Sequence, residues 1–290
     1  MLGIKSLNLR RRYVKVKILS KGIVIFAYVT GPIDYFHIAD IAAGLAKRHL
    51  DLPVTLITNI ARPPKYADNV ILTETPETRD YRTFGDLKTE WLNGNRASVY
   101  DLTPYDQTLM IDADYFIMNN QLMKLFDTDL EFACYDKVCD VTGNAAFEQA
   151  HLRLANTSIP MVWATVVYFT KGELSEAVFK FMDTIRQNWE FYSTLYGFSS
   201  TLYRNDYALS IALQALTGFS VGNFSTIPGK LLTANTDAFI FDVKPNKFVI
   251  TTEYYGLDQI VGESVHFMNK QNLMTDLVQT SLESLLNAKT

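Results

Sequence analysis

KGIVIFAYVTGPIDYFHIADIAAGLAKRHLDLPVTLIT, running from Lys21 to Thr58, is the stretch that decides the fold class. Its opening, KGIVIFAYVTG, is rich in β-branched and aromatic residues and stops at Thr30, Gly31 and Pro32, the punctuation that ends a buried strand. Ile38 to His49 then places Ile38, Ile41, Ala42 and Leu45 at helical spacing, and LPVTLIT from Leu52 reads as a second strand. Strand, helix and strand make a right-handed βαβ unit, so the expected class is α/β, a single domain with a mixed, mostly parallel central sheet flanked by helices. Sheets of this kind take nucleotides at the carboxyl ends of their strands.

Outward from this unit the pattern varies. Ala61 to Pro104 is polar, with Tyr, Trp and Arg scattered through it, and reads as loop and binding segment. YDQTLMIDADYFIM is a strand running into two acids, NNQLMKLF a short helix and VWATVVYFT another strand. GELSEAVFKFMDTIRQNWEFY reads as one long amphipathic helix with Leu174, Val178, Phe181, Met182 and Ile185 on a face, and DYALSIALQAL as a further helix. TGFSVGNFSTIPGKLL and KFVITTEYYG are strand and loop. VGESVHFMNK leads to a terminal helix, NLMTDLVQTSLESLLNA, whose stripe includes Leu273, Leu277 and Leu285 and packs on the domain or on a second copy. Without a repeat or a linker, residues 1–290 are expected to form one domain: a nucleotide-binding part over about 20–118, an acceptor-side part over about 119–270 and a C-terminal helix over 271–290.

Composition sets limits. With 48% hydrophobic residues in 290, the chain can bury a large core, and 27 basic against 31 acidic residues, a net charge of -4, do not advertise a polyanion partner. The exception is Lys5 to Lys21, where Lys5, Arg10, Arg11, Arg12, Lys15, Lys17 and Lys21 occur with no acid between them; this arm suits phosphates or a charge-guarded edge strand. Cys134 and Cys139 are too few for a disulfide framework and read as reduced thiols of a cytoplasmic protein. The GIVIFAYV run is too short to span a membrane and is not followed by a signal cleavage site, and the terminal helix has almost no Lys or Arg to meet an anionic membrane surface.

LMIDADYFIM, Leu109 to Met118, poses the chemical question. Burying an unpaired carboxylate is costly, so two acids in an apolar strand ask for a counter-charge. In an extended chain residues i and i+2 point the same way, so Asp112 and Asp114 are expected to face one point, which suits a divalent cation. Hard oxygen donors select magnesium or manganese, whose remaining positions go to water and substrate phosphates.

The string LTPYDQTLMIDADYFIM resembles the D-x-D region of GT-A-fold nucleotide-sugar glycosyltransferases, in particular the glycogenin-like and galactosyltransferase-like branch. ESVHFMNKQN is similar to that branch's late histidine-aromatic-lysine segment, and RNDYALS to the start of its D-Q-x-x-L helix. The resemblance implies that Asp112, Asp114 and His266 hold the metal, that Asp112, Lys270 and Arg96 meet the donor, and that Ala27, Tyr28 and Thr30 hold its base and ribose. It also implies that Asp206 stands beside the reacting sugar, and that transfer is retaining. The chain departs from the branch where Trp163, Ala164 and Thr165 replace an N-A-G or N-S-G string, where Tyr207 replaces a glutamine, and in the closeness of Lys270 to His266. The wording of Lys21 to Thr58 also resembles glycosyltransferase-like proteins encoded by tailed phages, which adds hydroxymethylated bases of phage DNA to the candidate acceptors and a host cytoplasm to the setting.

The expected activity is thus metal-dependent transfer of a sugar from a UDP-sugar or related donor to a hydroxyl, on DNA, a glycan or a small molecule. A nucleotidyltransferase is the rival enzyme class, disfavoured because FAYVTGPIDY lacks a Gly-rich, basic phosphate loop; a binding protein without turnover is the third reading. His37, His49 and His151 lack partner patterns and are expected to be structural.

Overall fold

The computed structural model describes residues 20–75, 81–84, 87–90, 93–154, 157–198, 202–219, 224–252 and 256–288. Most of the basic arm, up to residue 19, lies outside them. The central sheet takes its first strands from β1 (Lys21–Phe26), β2 (Val54–Thr58) and β3 (Asn69–Leu72), followed by a hairpin of β4 (Tyr81–Phe84) and β5 (Leu87–Glu90). Next come β6 (Gln107–Ile111), β7 (Tyr115–Phe116), β8 (Phe132–Tyr135), β9 (Val138–Asp140) and β10 (Trp163–Thr170). The last third holds β11 (Leu231–Ala234), the meander β12 (Ala238–Lys244), β13 (Lys247–Thr252) and β14 (Gly256–Val261), and β15 (Val265–Phe267).

Six strands form the main sheet in the order β3-β2-β1-β6-β10-β8, parallel except for β10, which is antiparallel to both neighbours. This is the mixed, mostly parallel α/β class expected. Strand β3 was not foreseen: NVIL is a four-residue edge strand with only partly buried residues, too short and too exposed to show a period. The order reverses at β1, with β2 on one side and β6 on the other. Such a switch point opens a crevice at the carboxyl ends of the two central strands. Ile25 pairs with Ile111, so Phe26 and Asp112 emerge side by side at that crevice.

Alternation along the strands builds two cores. Ile23, Ile25, Leu109 and Ile111 pack toward helix α1 (Tyr35–Leu50), while Val24, Phe26 and Met110 lie in the layer of the later helices. Gly22 is required where it stands, because a Cβ there would lie 2.3 Å from the Tyr105 ring, whose hydroxyl bonds Thr55 at 2.8 Å. Helix α1 begins at Asp34, whose carboxylate accepts the His37 N–H at 3.1 Å and pairs with Arg62 at 2.6 Å, tying the crevice-side loops after β1 and β2 together. After α1 come the single turn α2 (Val99–Leu102) and the short α3 (Ala145–Ala150).

The single long helix expected after residue 172 is two, α4 (Glu173–Gln187) and α5 (Trp189–Leu195), interrupted at Asn188, whose non-helical ψ of 34° breaks the axis. Helix α4 buries Ser175, Val178, Phe179, Met182 and Ile185; Leu174 and Phe181 are only partly covered. Helix α6 (Asn205–Leu216) packs on α4 and β10. The terminal helix is also two, α7 (Lys270–Leu273) and α8 (Asp276–Asn287). Helix α8 lies on α1 and β12, burying Val278, Leu282 and Leu285, whereas Leu277 is 62% exposed because it falls on the opposite face. No helix among the described residues is long and apolar enough to cross a membrane.

A second sheet, β7-β15-β11-β9, crosses the end of the first. Its pairing of His266 with Tyr115 brings the late segment against the residues just after β6.

The connection from β2 to β3 rests on one buried acid. Asp40, 5% exposed inside α1, accepts the backbone N–H groups of Lys65 (2.6 Å), Tyr66 (3.0 Å) and Ala67 (2.9 Å). Asp40→Ala strands three donors, so an expected loss of about 3 kcal/mol follows, read as a fall of several degrees in melting temperature; an unchanged melting curve would contradict this role.

Candidate active site

Strand β6 ends at Ile111, and the chain turns at once: the Tyr115 N–H donates to the Asp112 carbonyl at 3.1 Å. This corrects the expectation that Asp112 and Asp114 face one point because they alternate in an extended strand. They converge because Asp112–Tyr115 is a turn held at both ends, with the Asp112 N–H on the Thr165 carbonyl (2.9 Å) and the Phe267 N–H on the Asp114 carbonyl (2.9 Å).

Each carboxylate divides its oxygens. Asp112 Oδ1 is ion-paired with Arg96, while Oδ2 faces His266 Nε2 at 3.8 Å. Asp114 Oδ2 is ion-paired with Lys270, while Oδ1 faces the same His266 Nε2 at 3.4 Å. Arg96 (3% exposed) and Lys270 (8%) are both buried, so these are charge pairs out of water, where each partner is the other's counter-charge. Burial pushes the Asp114 carboxyl up, but the charges of Lys270 and His266 outweigh it and hold the group well below the usual carboxylate range.

The cations are fixed in turn. Arg96 sits in the short 3-10 segment Asn93–Ser98 and donates to the Ala164 carbonyl at 2.8 Å. Lys270 opens α7 and donates to the Phe267 carbonyl at 3.2 Å. The Ala164 N–H donates to Asp206 Oδ1 at 2.9 Å, and Arg204 holds Asp206 Oδ2 at 3.0 Å. Asp206 lies in the first turn of α6, yet its carboxylate serves the neighbouring strand as well as Arg204.

Among the residues singled out from sequence, Asp112, Asp114, His266, Lys270 and Arg96 come together, and Asp206 joins them through the backbone of Ala164. Ala27, Tyr28 and Thr30 stand at the end of the adjacent strand. There the Ala27 carbonyl accepts from Thr58 (2.7 Å), the Tyr28 hydroxyl bonds Thr73 (3.0 Å) and Thr30 is exposed. Burial raises the Tyr28 phenol, partly offset by that bond. The aromatic side chains largely pack on one another: Phe198 stacks on Tyr207 with centroids 4.6 Å apart, and buried Trp163 lies 5.2 Å from the His151 ring. Sequence reasoning missed Arg204, although its place two residues before Asp206 in RNDYALS is a usable signal. It also missed Thr233, in register with His266 on β11. Thr233 Oγ1 and His266 Nδ1 are both buried, and among the described residues neither has a hydrogen-bond partner.

Two carboxylates and an imidazole are a donor set of the kind that divalent ions take. At metal–ligand distances of about 2.1 Å, neighbouring ligands of an octahedral ion stand about 3.0 Å apart and opposite ones about 4.2 Å. The Asp112, Asp114 and His266 donor atoms lie within 4.8 Å of one another, with His266 Nε2 at 3.8 and 3.4 Å from the two carboxylate oxygens, wider than the spacing of adjacent ligands on a bound ion.

No protein-family model matches the chain, and no curated protein matches it either. Among solved structures it is similar to the galactosyltransferase LgtC in complex with donor and acceptor sugar analogs, at 13% identity and a TM-score of 0.49, covering 93% of this chain and 96% of that one. It is also similar to the apo form of the glycosyltransferase GlyE of Streptococcus pneumoniae TIGR4, at 14% identity and a TM-score of 0.40, covering 71% of this chain. Mouse xyloside xylosyltransferase 1 follows at 12% identity and a TM-score of 0.40, with 67% of this chain and 82% of that one covered. The match spans 44% of the GlyE chain, less than half its length.

The Lys270–Asp114 pair gives a pH signature. Because the folded Asp114 carboxyl is depressed, it is ionised in folded and unfolded chains alike above about pH 4, and its stabilisation is lost only as pH falls below that. In Lys270→Met burial of the charged carboxylate loses its main opponent, the folded carboxyl rises, and stability falls as pH rises from about 4.5 to 7. Urea unfolding at both pH values should show a cost of about 3 kcal/mol or more at pH 7 and a smaller one at pH 4.5. A cost equal at the two values would refute the pairing.

Proposed function

We propose that this chain is a GT-A-type glycosyltransferase that moves a sugar from a nucleoside-diphosphate sugar, in the first instance a UDP-sugar, to a hydroxyl acceptor with retention. The observation that carries the reading is the convergence of Asp112, Asp114 and His266 at the switch point of the sheet, with the remaining carboxylate oxygens already held by Lys270 and Arg96. Asp112, Asp114 and His266 would hold manganese or magnesium. When bound, such an ion supplies positive charge for the diphosphate that departs from the anomeric carbon.

The chain's own residues account for the rest. Lys270 and Arg96 add fixed positive charge beside the leaving group and keep the two acids aimed at one point. Ala27, Tyr28 and Thr30 follow β1, next to Asp112, and in this reading they would hold the base and ribose. In retention the bond from the anomeric carbon to the diphosphate breaks on the face where the acceptor oxygen attacks, and the acceptor's proton passes to the departing phosphate oxygen. Asp206 has both carboxylate oxygens engaged, by Ala164 and Arg204, which supports this path over one using Asp206 as the base. The basic arm and the likeness of Lys21 to Thr58 to tailed-phage proteins favour DNA as acceptor; residues 1–19 of that arm lie outside the described residues, and the proposal names the acceptor class as a hydroxyl.

UDP release from a panel of UDP-sugars tests the reading. Turnover should require manganese or magnesium, cease with chelator, and fall about a hundredfold or more in Asp114→Asn. Circular dichroism of Asp114→Asn and of Asp114→Asn/Lys270→Met checks that the fold survives. Hydrolysis or transfer indifferent to both chelator and substitution would exclude the proposed chemistry.

A further inference from the structure

We propose that Asp206 is a positioning residue that acts on the acid centre through the backbone of Ala164 and Arg96, in place of contacting the sugar or moving a proton. The inference deepens the reading above and rests on it only for the identity of the ligand.

The connection is continuous. Arg204 holds Asp206 Oδ2 at 3.0 Å; Asp206 Oδ1 accepts the Ala164 N–H at 2.9 Å; the Ala164 carbonyl accepts from Arg96 at 2.8 Å; and Arg96 is ion-paired with Asp112. One residue, Ala164, therefore carries the coupling between helix α6 and the carboxylate that faces His266, through an N–H and a C=O that belong to successive peptide groups.

The strand leaves the N–H and C=O of Ala164 open to side chains. The pairing of β10 with β8 is regular from Val167 onward but shifts register between Trp163 and Val167. An irregularity of this kind withdraws ladder partners from the backbone groups within it, and buried backbone groups need partners. Helix α6 supplies one at Ala164, whose N–H Asp206 accepts, and from one turn further along the helix Ser210 Oγ accepts the N–H of Val162, just before the strand, at 2.9 Å. The same stretch gives the Thr165 carbonyl to the Asp112 N–H. Both the backbone and the side chain of Asp112 thus hang on residues 164 and 165.

The far end is anchored as well. The Arg204 guanidinium lies 5.1 Å over the Tyr207 ring, which is stacked on Phe198. With each oxygen of Asp206 engaged by a different group, this carboxylate is built to stay still.

A double-mutant cycle between Asp206 and Arg96, which bond the N–H and the C=O of Ala164, tests the inference. Unfolding constants are measured in urea for the wild type, Asp206→Ala, Arg96→Met and the double variant, with Asp206→Asn in the same cycle where the alanine variant does not fold. The double variant should depart about fivefold or more from the product of the singles; additivity within about twofold overturns the proposal. The second readout is the affinity for manganese with UDP, a ligand that carries no sugar. Asp206→Ala should weaken it about tenfold and Asp206→Asn, which keeps an oxygen for the Ala164 N–H, should recover most of the loss. Unchanged Mn–UDP affinity with lost turnover would assign Asp206 to the sugar instead. If the wild type fails to bind Mn–UDP, the functional reading fails while the unfolding cycle still decides this one.

Discussion

Asp112 and Asp114 each give one carboxylate oxygen to a buried cation and turn the other toward His266. Two acids this close repel, and burial adds to the cost, so the arrangement holds only because Arg96 and Lys270 bring two positive charges to match. The pairing also sets direction: with its outer oxygen held, each carboxylate can rotate little, and the inner oxygens stay on the imidazole. A centre balanced in this way is orderly before any ligand arrives, which is what preorganised charge stabilisation requires.

The architecture exists to deliver these groups from distant parts of the chain. Strand β6 ends beside β1 at the reversal of strand order, and the turn after it rolls Asp114 toward the second sheet. There β15 pairs with β7 and places His266, and α7 begins three residues past Phe267 with Lys270. Arg96 comes from the segment before β6, and the irregular part of β10 lends its carbonyls at Ala164 and Thr165. Four separate stretches therefore meet within a few ångströms. Loss of either cation would leave a buried carboxylate without its counter-charge.

Much of this was legible in the sequence, for identifiable reasons. β1, α1, β2, β6 and β10 are long or strongly apolar, and their burial follows the pattern read from the chain. Strand β3 was invisible because four half-exposed residues carry no period, and the break at Asn188 because nothing apolar marks it. The acid pair was recognised from its neighbours, but the geometric reason offered for it was mistaken: alternation is a property of strands, and Asp112 already begins a turn. His266 and Lys270 were found through family resemblance, since no local pattern links them to residues so far upstream. The bonds of Arg96 to Ala164 and of Asp206 to Ala164 connect positions 68 and 42 residues apart, and a backbone partner leaves no trace in side-chain identity.

The central claim is that one divalent ion is held jointly by the two acids and the imidazole. Pulsed electron paramagnetic resonance of manganese bound together with UDP reads the imidazole directly, through the coupling of the electron spin to a ligand nitrogen. The account predicts a nitrogen coupling in the wild type that disappears in His266→Ala while some manganese remains bound. A spectrum without that coupling, or one unchanged by the substitution, would contradict it.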